Sequence, residues 1–433
     1  MKYLSTLILF SLLLFNCSNS TKTDRKKVRT AQNYFNEIQS ICTADNGNLW
    51  GFNLYSPILF VDPETRNVYA NENGTNLAKT KEIFTGKLPA GIVMANTKLN
   101  WDNKQWNLFV LPLPSDSMER RELIIQQLYR SKISDSGLGK LQTPDCNHLN
   151  ESANRIWMKI EVEALKRALL ANDPARQKEH IRMALAARKM RKLFTGEYFI
   201  RENNLDLKEG LPKLTWLLLN GKDIETNKNE LLNELTLFQK SPFFMRSFAE
   251  LLIPTYGLFM SETGTGWFKK INEKTDMTDF IIQFYQIKYH EDFDEMLLLL
   301  MKGYNGDQFE AEEEIIAIEM EKISLKFQKK FLESPFVMIK TTGNTHLEYH
   351  TDQLIPFYDK GTIYLHLTVT DIWGTVTITD GALINTERSY IYLSAPFHLN
   401  KGIATGEDWK MNLNEGYGIQ PYLNSDKFIV AKD

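Results

Sequence analysis

Residues 121–131 read Arg-Glu-Leu-Ile-Ile-Gln-Gln-Leu-Tyr-Arg-Ser, and the informative positions are Gln126, Gln127 and Arg130. Residues four apart share a helix face, so two histidines at such positions can reach one zinc ion. A glutamate next to the first histidine then serves as base on the metal-bound water. Here the positions four apart hold Gln126 and Arg130, and neither side chain supplies that chemistry. An amide oxygen at Gln126 is a poor zinc ligand beside imidazole. Gln127 has no basic oxygen to take a proton. Arg130 puts a permanent cation where a divalent ion would sit. Elsewhere, His346 and His350 are also four apart, but in an extended segment their side chains stand over about 10 Å from each other. His180, His290, His366 and His398 stand alone. Gly264-Thr265-Gly266-Trp267 lacks the third glycine of a dinucleotide fingerprint. Glu312, Glu313 and Glu314 precede an isoleucine-rich run and read as a helix start, not a calcium loop. The local motifs therefore predict no catalytic residue, no metal ligand and no cofactor.

The chain start carries different information. Lys2 precedes an apolar run over residues 4–15, and Cys17 follows directly after Asn16. A basic start, a short apolar run and a cysteine read as an export signal over residues 1–16 with lipidation of Cys17. The run is shorter than the roughly 20 residues of a membrane span. Residues 17–30 carry Lys22, Arg25, Lys26, Lys27 and Arg29 and read as a solvated tether. Ser18 after the cysteine, in place of aspartate, points to the outer membrane. The remaining cysteines, Cys42 and Cys146, reach an oxidising compartment. They are either bridged, which would contribute about 4–5 kcal/mol through chain entropy, or two buried thiols. Across 433 residues, 51 basic side chains face 54 acidic ones, which argues against nucleic acid as a partner.

The elements that must position these groups fall into three regions. In residues 31–41, Ala31, Tyr34, Phe35, Ile38 and Ile41 recur at helical spacing. Ile58-Leu59-Phe60-Val61 reads as a strand ended by the turn Asp62-Pro63-Glu64-Thr65-Arg66, with Val68-Tyr69-Ala70 after it. Another strand over residues 106–111 closes at Pro112 and Pro114. Asp116 and Glu119 fit a capping box for a helix that turns Leu123, Ile124 and Leu128 inward. Further helices are predicted over residues 151–171, from Asp173-Pro174 to a basic end before Gly196, and over 230–237, 242–259 and 311–331. From Pro335 the period becomes two: Ile363, Leu365, Leu367 and Val369 alternate with polar residues, and Val376 and Ile378 repeat the pattern.

Several stretches together resemble an uncharacterised family of exported bacterial proteins with a zincin-like peptidase motif. They are Pro57 to Arg66, Ala95-Asn96-Thr97, Asn147-His148-Leu149, Arg155-Ile156-Trp157 with Glu161, Glu209-Gly210-Leu211, Tyr256-Gly257-Leu258, and Val369 to Gly374. They run in collinear order over nearly the whole chain. The resemblance implies a helix reading H-E-x-F-H-R, which this chain replaces with Gln126, Gln127, Leu128, Tyr129, Arg130 and Ser131. It also implies a further carboxylate from E-G-L-A-E-Y-T. Here Glu209 keeps that acid, while Pro212 and Lys213 replace alanine and glutamate. Proline inside a helix costs about 3 kcal/mol, so either a helix starts near Glu209 or it is kinked there.

The sequence thus predicts an α+β protein. Residues 31–116 form an N-terminal strand-containing portion, 117–333 a mainly helical gluzincin-like domain, and 334–433 a C-terminal β-sheet domain. The expected role is that of a lipid-anchored, catalytically inactive relative of a metallopeptidase. Its partners would be the membrane, through the N-terminal lipid, and a protein or peptide in the former substrate cleft. The rival expectation is a metal-dependent hydrolase with a rearranged site around Glu209, His148 and Glu161.

Overall fold

A computed structural model describes residues 4–142, 146–241, 244, 247–350, 353–423 and 425–432, with side chains from residue 25 onward. The chain forms two compact units, Met1–Lys132 and Ile133–Asp433. The fold is α+β, with a helical central region and strands at the C-terminal end.

The first unit opens with α1 (Leu4–Asp45), followed by β1 (Ile58–Val61), β2 (Asn67–Ala70), β3 (Ala78–Thr80), β4 (Ile83–Lys87), β5 (Thr97–Trp101) and β6 (Lys104–Val110), and then α2 (Ser117–Ile133). The sheet order is β3-β4-β2-β1-β6-β5. Central β1 is apolar throughout because it is covered on both faces; all four residues are buried. It pairs antiparallel with β2 and parallel with β6. One sheet face closes over Leu59, Val61, Val68, Trp106 and Leu108. On the other, Phe60 stacks on Phe35 of α1 at 4.8 Å. The α1 stripe on that side is Ala31, Phe35, Ile38 and Cys42, all buried. Residues 25–30, expected in a solvated tether, instead continue α1. Lys27 pairs there with Asp62, whose backbone neighbours form the predicted turn. The backbone of Cys17 lies within α1, and its side chain is outside the described residues. Among the described residues no helix is long and apolar enough to cross a membrane.

In the second unit the helices are α3 (Gly137–Lys140), α4 (Ser152–Leu170), α5 (Pro174–Thr195), α6 (Phe199–Leu205), α7 (Leu211–Leu219), α8 (Ile224–Gln239), α9 (Ala249–Ser261), α10 (Met277–Tyr285), α11 (Phe293–Gly303) and α12 (Gly306–Phe331). Asp173 caps α5 by accepting from the Arg176 amide at 3.1 Å, as its Asp-Pro start predicts. The helix expected over 242–259 is seen from Ala249; residues 242, 243, 245 and 246 are outside the described residues. Helix α12 starts at Gly306, so Glu312, Glu313 and Glu314 lie inside it and do not begin it. The reason is that Glu313 is buried against Arg155 and Lys159 of α4, 2.5 and 2.8 Å away.

The strands that follow are β7 (Phe336–Lys340), β8 (His346–Tyr349), β9 (Leu354–Phe357), β10 (Gly361–Tyr364), β11 (Leu367–Asp371), β12 (Gly374–Ile378), β13 (Ala382–Asn385), β14 (Tyr390–Ser394), β15 (His398–Asn400), β16 (Ile403–Thr405), β17 (Trp409–Leu413), β18 (Tyr417–Pro421) and β19 (Phe428–Lys432). They make two sheets, β18-β19-β7-β14-β13-β10-β9 and β15-β16-β17-β12-β11-β8. Val337, Ile384 and Ile391 of the first and Val369, Val376 and Met411 of the second share one core. The alternation over residues 363–370 is therefore not one strand. It passes from β10 in one sheet to β11 in the other, and a continuous period of two conceals the crossing. Phe327 and Phe331 of α12 pack with Ile355, Phe357 and Ile363, which ties the helices to the strands.

Candidate functional site

Helix α2 carries the positions where the sequence pattern would put metal ligands. Asp116 accepts from the amides of Met118 and Glu119 at 2.8 and 2.9 Å, which fixes its start. Ile124 and Leu128 face the core, and Tyr129 packs on Trp50 at 4.8 Å. Gln126, Gln127 and Arg130 are half-buried. Gln126 Nε2 donates to Glu122 at 2.8 Å, and Arg130 Nη2 donates to Gln126 Oε1 at 3.1 Å. The three residues form a ladder at four-residue steps, with the amide oriented by a carboxylate at one end and a guanidinium at the other. The oxygen that would have to face a metal is already an acceptor for a cation. This donor set does not fit zinc.

Glu209 lies in the second unit, in a π-helical turn at Asp206–Gly210. Pro212 follows in the first turn of α7. No helix starts at Glu209: helical turns run without a break from Phe199 to Leu219, and Pro212 lies inside them. The prolyl nitrogen cannot bond to residue 208, and the wider turn ahead of it absorbs the missing bond. Gly210 is required for close packing: a Cβ there would come within 2.7 Å of Ile253 Cβ and 2.8 Å of the Ala249 carbonyl oxygen.

The chemistry of the second unit is concentrated elsewhere. Six ionisable groups from five elements meet in its interior: His148, Glu161 of α4, Arg188 and Arg191 of α5, Glu202 of α6, and Asp206. Arg188 donates to Glu161 Oε1 at 3.2 Å, to Thr278 at 2.9 Å, and to Asp206. Arg191 donates to Glu161 Oε2 at 2.7 Å and to Glu202 at 3.0 Å. His148 Nε2 and Glu202 Oε1 are 2.9 Å apart. Tyr256 adds a hydrogen bond to Glu161 at 3.0 Å. The two arginines, Glu161, Glu202 and Asp206 are 0% exposed. Three carboxylates against two guanidinium groups leave one negative charge, which a single proton balances. Burial pushes the Asp206 carboxyl up to about 7 despite Arg188, and Glu202 and Glu161 add to the rise. Burial acts on Glu202 in the same direction, but Arg191 and the contact with His148 outweigh it and hold its pKa below the usual glutamate range. Asp206 Oδ1 and His148 Nδ1 have no hydrogen-bond partner among the described residues.

Sequence reasoning singled out His148 and Glu161, and the structure joins both to this network. It missed Arg188 and Arg191, which read as the favourable basic end of α5. Their spacing held the signal. Ile181, Ala184, Arg188 and Arg191 recur at three- and four-residue steps, so both arginines lie on the apolar face. His346 lies on β8 with Nε2 3.4 Å from Glu348. Cys42 of the first unit and Cys146 of the second are both buried. Burial pushes the Cys42 thiol up to about 12, and Asp45 adds to the rise.

No family model matches the chain, and no curated protein or solved structure matches it either.

Proposed function

We propose that this chain is a lipid-anchored protein of the bacterial cell envelope, held at the outer membrane through Cys17. In it a zincin-like helix has lost its metal chemistry and serves a binding or structural role. The observation that carries the reading is the state of Gln126, with its oxygen bonded to Arg130 and its nitrogen to Glu122. A guanidinium keeps its charge at any working pH, so the ladder persists wherever the protein is folded. Gln127 supplies no base. The remaining partner class is a protein, peptide or envelope component held in the former substrate cleft.

The rival hydrolase would need Glu209, His148 and Glu161 to offer lone pairs to a metal or a water. Both oxygens of Glu161 accept from arginines, and His148 Nε2 is engaged with Glu202. Freeing either group would strand a buried charge, which costs several kcal/mol. Metal analysis of the full chain, purified without chelator, is the test. The expected result is no stoichiometric transition metal. One tightly bound zinc per chain would overturn the reading. The variant combining Gln126→His, Gln127→Glu and Arg130→His is expected to acquire zinc affinity that the parent lacks.

A further inference from the structure

In the first unit a groove of about 1100 Å³ runs between α1 and the β2–β4 part of the sheet. Its helical wall is Arg25, Val28, Arg29 and Gln32, a single face at steps of three and four residues. Facing it are Tyr69 of β2 and Lys81, which sits in the two-residue turn between β3 and β4. The fold divides the basic tract of α1. Lys27 pairs with Asp62, while the exposed side chains of Arg25 and Arg29 line the groove. Arg25, Arg29 and Lys81 have no carboxylate partner among the described residues. Glu82 is the one acid on the lining. Three such cations lining one concave surface, in a chain of net charge −3, make it locally attractive to anions.

We infer that this groove binds a phosphate group carried on an organic moiety, as in an anionic phospholipid headgroup or a soluble phosphate ester. Two arginines four apart line the helical wall, and Lys81 lines the opposite one. A carboxylate has two oxygens and one arginine occupies both, whereas a phosphate offers oxygens to both walls. The volume of about 1100 Å³ is slightly above the range of pockets for drug-sized ligands, roughly 300–1,000 Å³, so a bare ion would leave most of it empty. Val28 and the ring of Tyr69 provide apolar contact for the rest of the ligand. The inference does not depend on lipidation of Cys17 or on the loss of metal chemistry in α2.

Calorimetric titration of the full chain in non-ionic detergent provides the test, with three probes: dihexanoyl phosphatidylglycerol, inorganic phosphate, and dihexanoyl phosphatidylcholine as a zwitterionic control. Saturable binding of the anionic lipid is expected, weakened by salt and by roughly tenfold for each arginine reversed in Arg25→Glu and Arg29→Glu. Lys26→Glu, an exposed change outside the lining, is expected to leave binding unchanged. Lys81→Glu attacks the opposite wall without touching α1 and should also weaken binding. Inorganic phosphate binding as tightly as the lipid would show that the organic moiety adds nothing and would overturn the inference. Equal binding of the two lipids, no binding of either anion, or reversal variants that bind like the parent would overturn the inference.

Discussion

Replacing Arg191 with methionine tests whether the buried network holds the second unit together. The side chain is fully enclosed and reaches Glu161 at 2.7 Å and Glu202 at 3.0 Å. Methionine keeps much of the apolar stem and removes the charge. Glu161 retains Arg188 and Tyr256, and Glu202 retains His148, so the loss is that of one central partner. Removing one member of a buried ion pair costs about 3–5 kcal/mol, a large share of the roughly 5–15 kcal/mol of a typical fold. In a unit of this size that corresponds to a fall of roughly 10 °C in melting temperature. The comparison is Lys326→Met. Lys326 pairs with Asp380 at 2.7 Å with both side chains about half exposed. Such pairs contribute about 0–1 kcal/mol. Hydrogen exchange read by mass spectrometry on the amides of residues 181–191 reports on the second unit alone. Arg191→Met should raise exchange there by orders of magnitude, and Lys326→Met should barely change it. A triple variant adding Glu161→Gln and Glu202→Gln should recover part of the loss, because it also removes the stranded charges. If Arg191→Met and Lys326→Met matched within about 0.5 kcal/mol, the network would carry no special stability and the reasoning would fail.

Two further outcomes follow from the same geometry. Asp206 has a folded pKa of about 7 against an ordinary value of 3.8. The native state therefore binds a proton more tightly than the unfolded chain, and this group's contribution to stability falls as pH rises between those values. Asp206→Asn should flatten that slope in denaturant titrations at pH 5 and pH 8; an unchanged slope would assign the proton to another group. Glu202 has the opposite sign, and its contribution is lost as pH falls below 4.5. On α12, Glu313→Ala should destabilise the second unit by several kcal/mol, since buried Arg155 would lose the carboxylate it pairs with and buried Lys159 would keep Glu312 but lose Glu313. Exposed Glu314→Ala should stay within about 0.5 kcal/mol, and equal melting shifts for the two would refute the assignment.

Local signals in the sequence carried the outlines of the elements. Asp173-Pro174 placed the start of α5, the Asp62–Arg66 turn separated β1 from β2, and the apolar stripe from Ala31 to Ile38 marked the buried face of α1. Each rests on neighbours within a few residues, and caps, turns and periodicity depend on nothing more distant. Strands β3, β4 and β5, two of them at the sheet edges, escaped notice because they are short and half polar. Basic residues in α1 read as a spacer because composition does not say which of them find partners.

The candidate site divides along the same line. The identities of Gln126, Gln127 and Arg130, and the spacing that puts them on one helix face, were set by the sequence alone. Which oxygen Arg130 engages was not, since side-chain rotamers decide that. The convergence of His148, Glu161, Arg188, Arg191, Glu202 and Asp206 required the tertiary structure. Their charges are tolerable in the interior only because helices separated by tens of residues deliver acids and bases within 3.2 Å of each other. Burial turns a side chain that would be solvated on a lone helix into one that must find its counter-charge across the core, and no local pattern specifies where that counter-charge will come from.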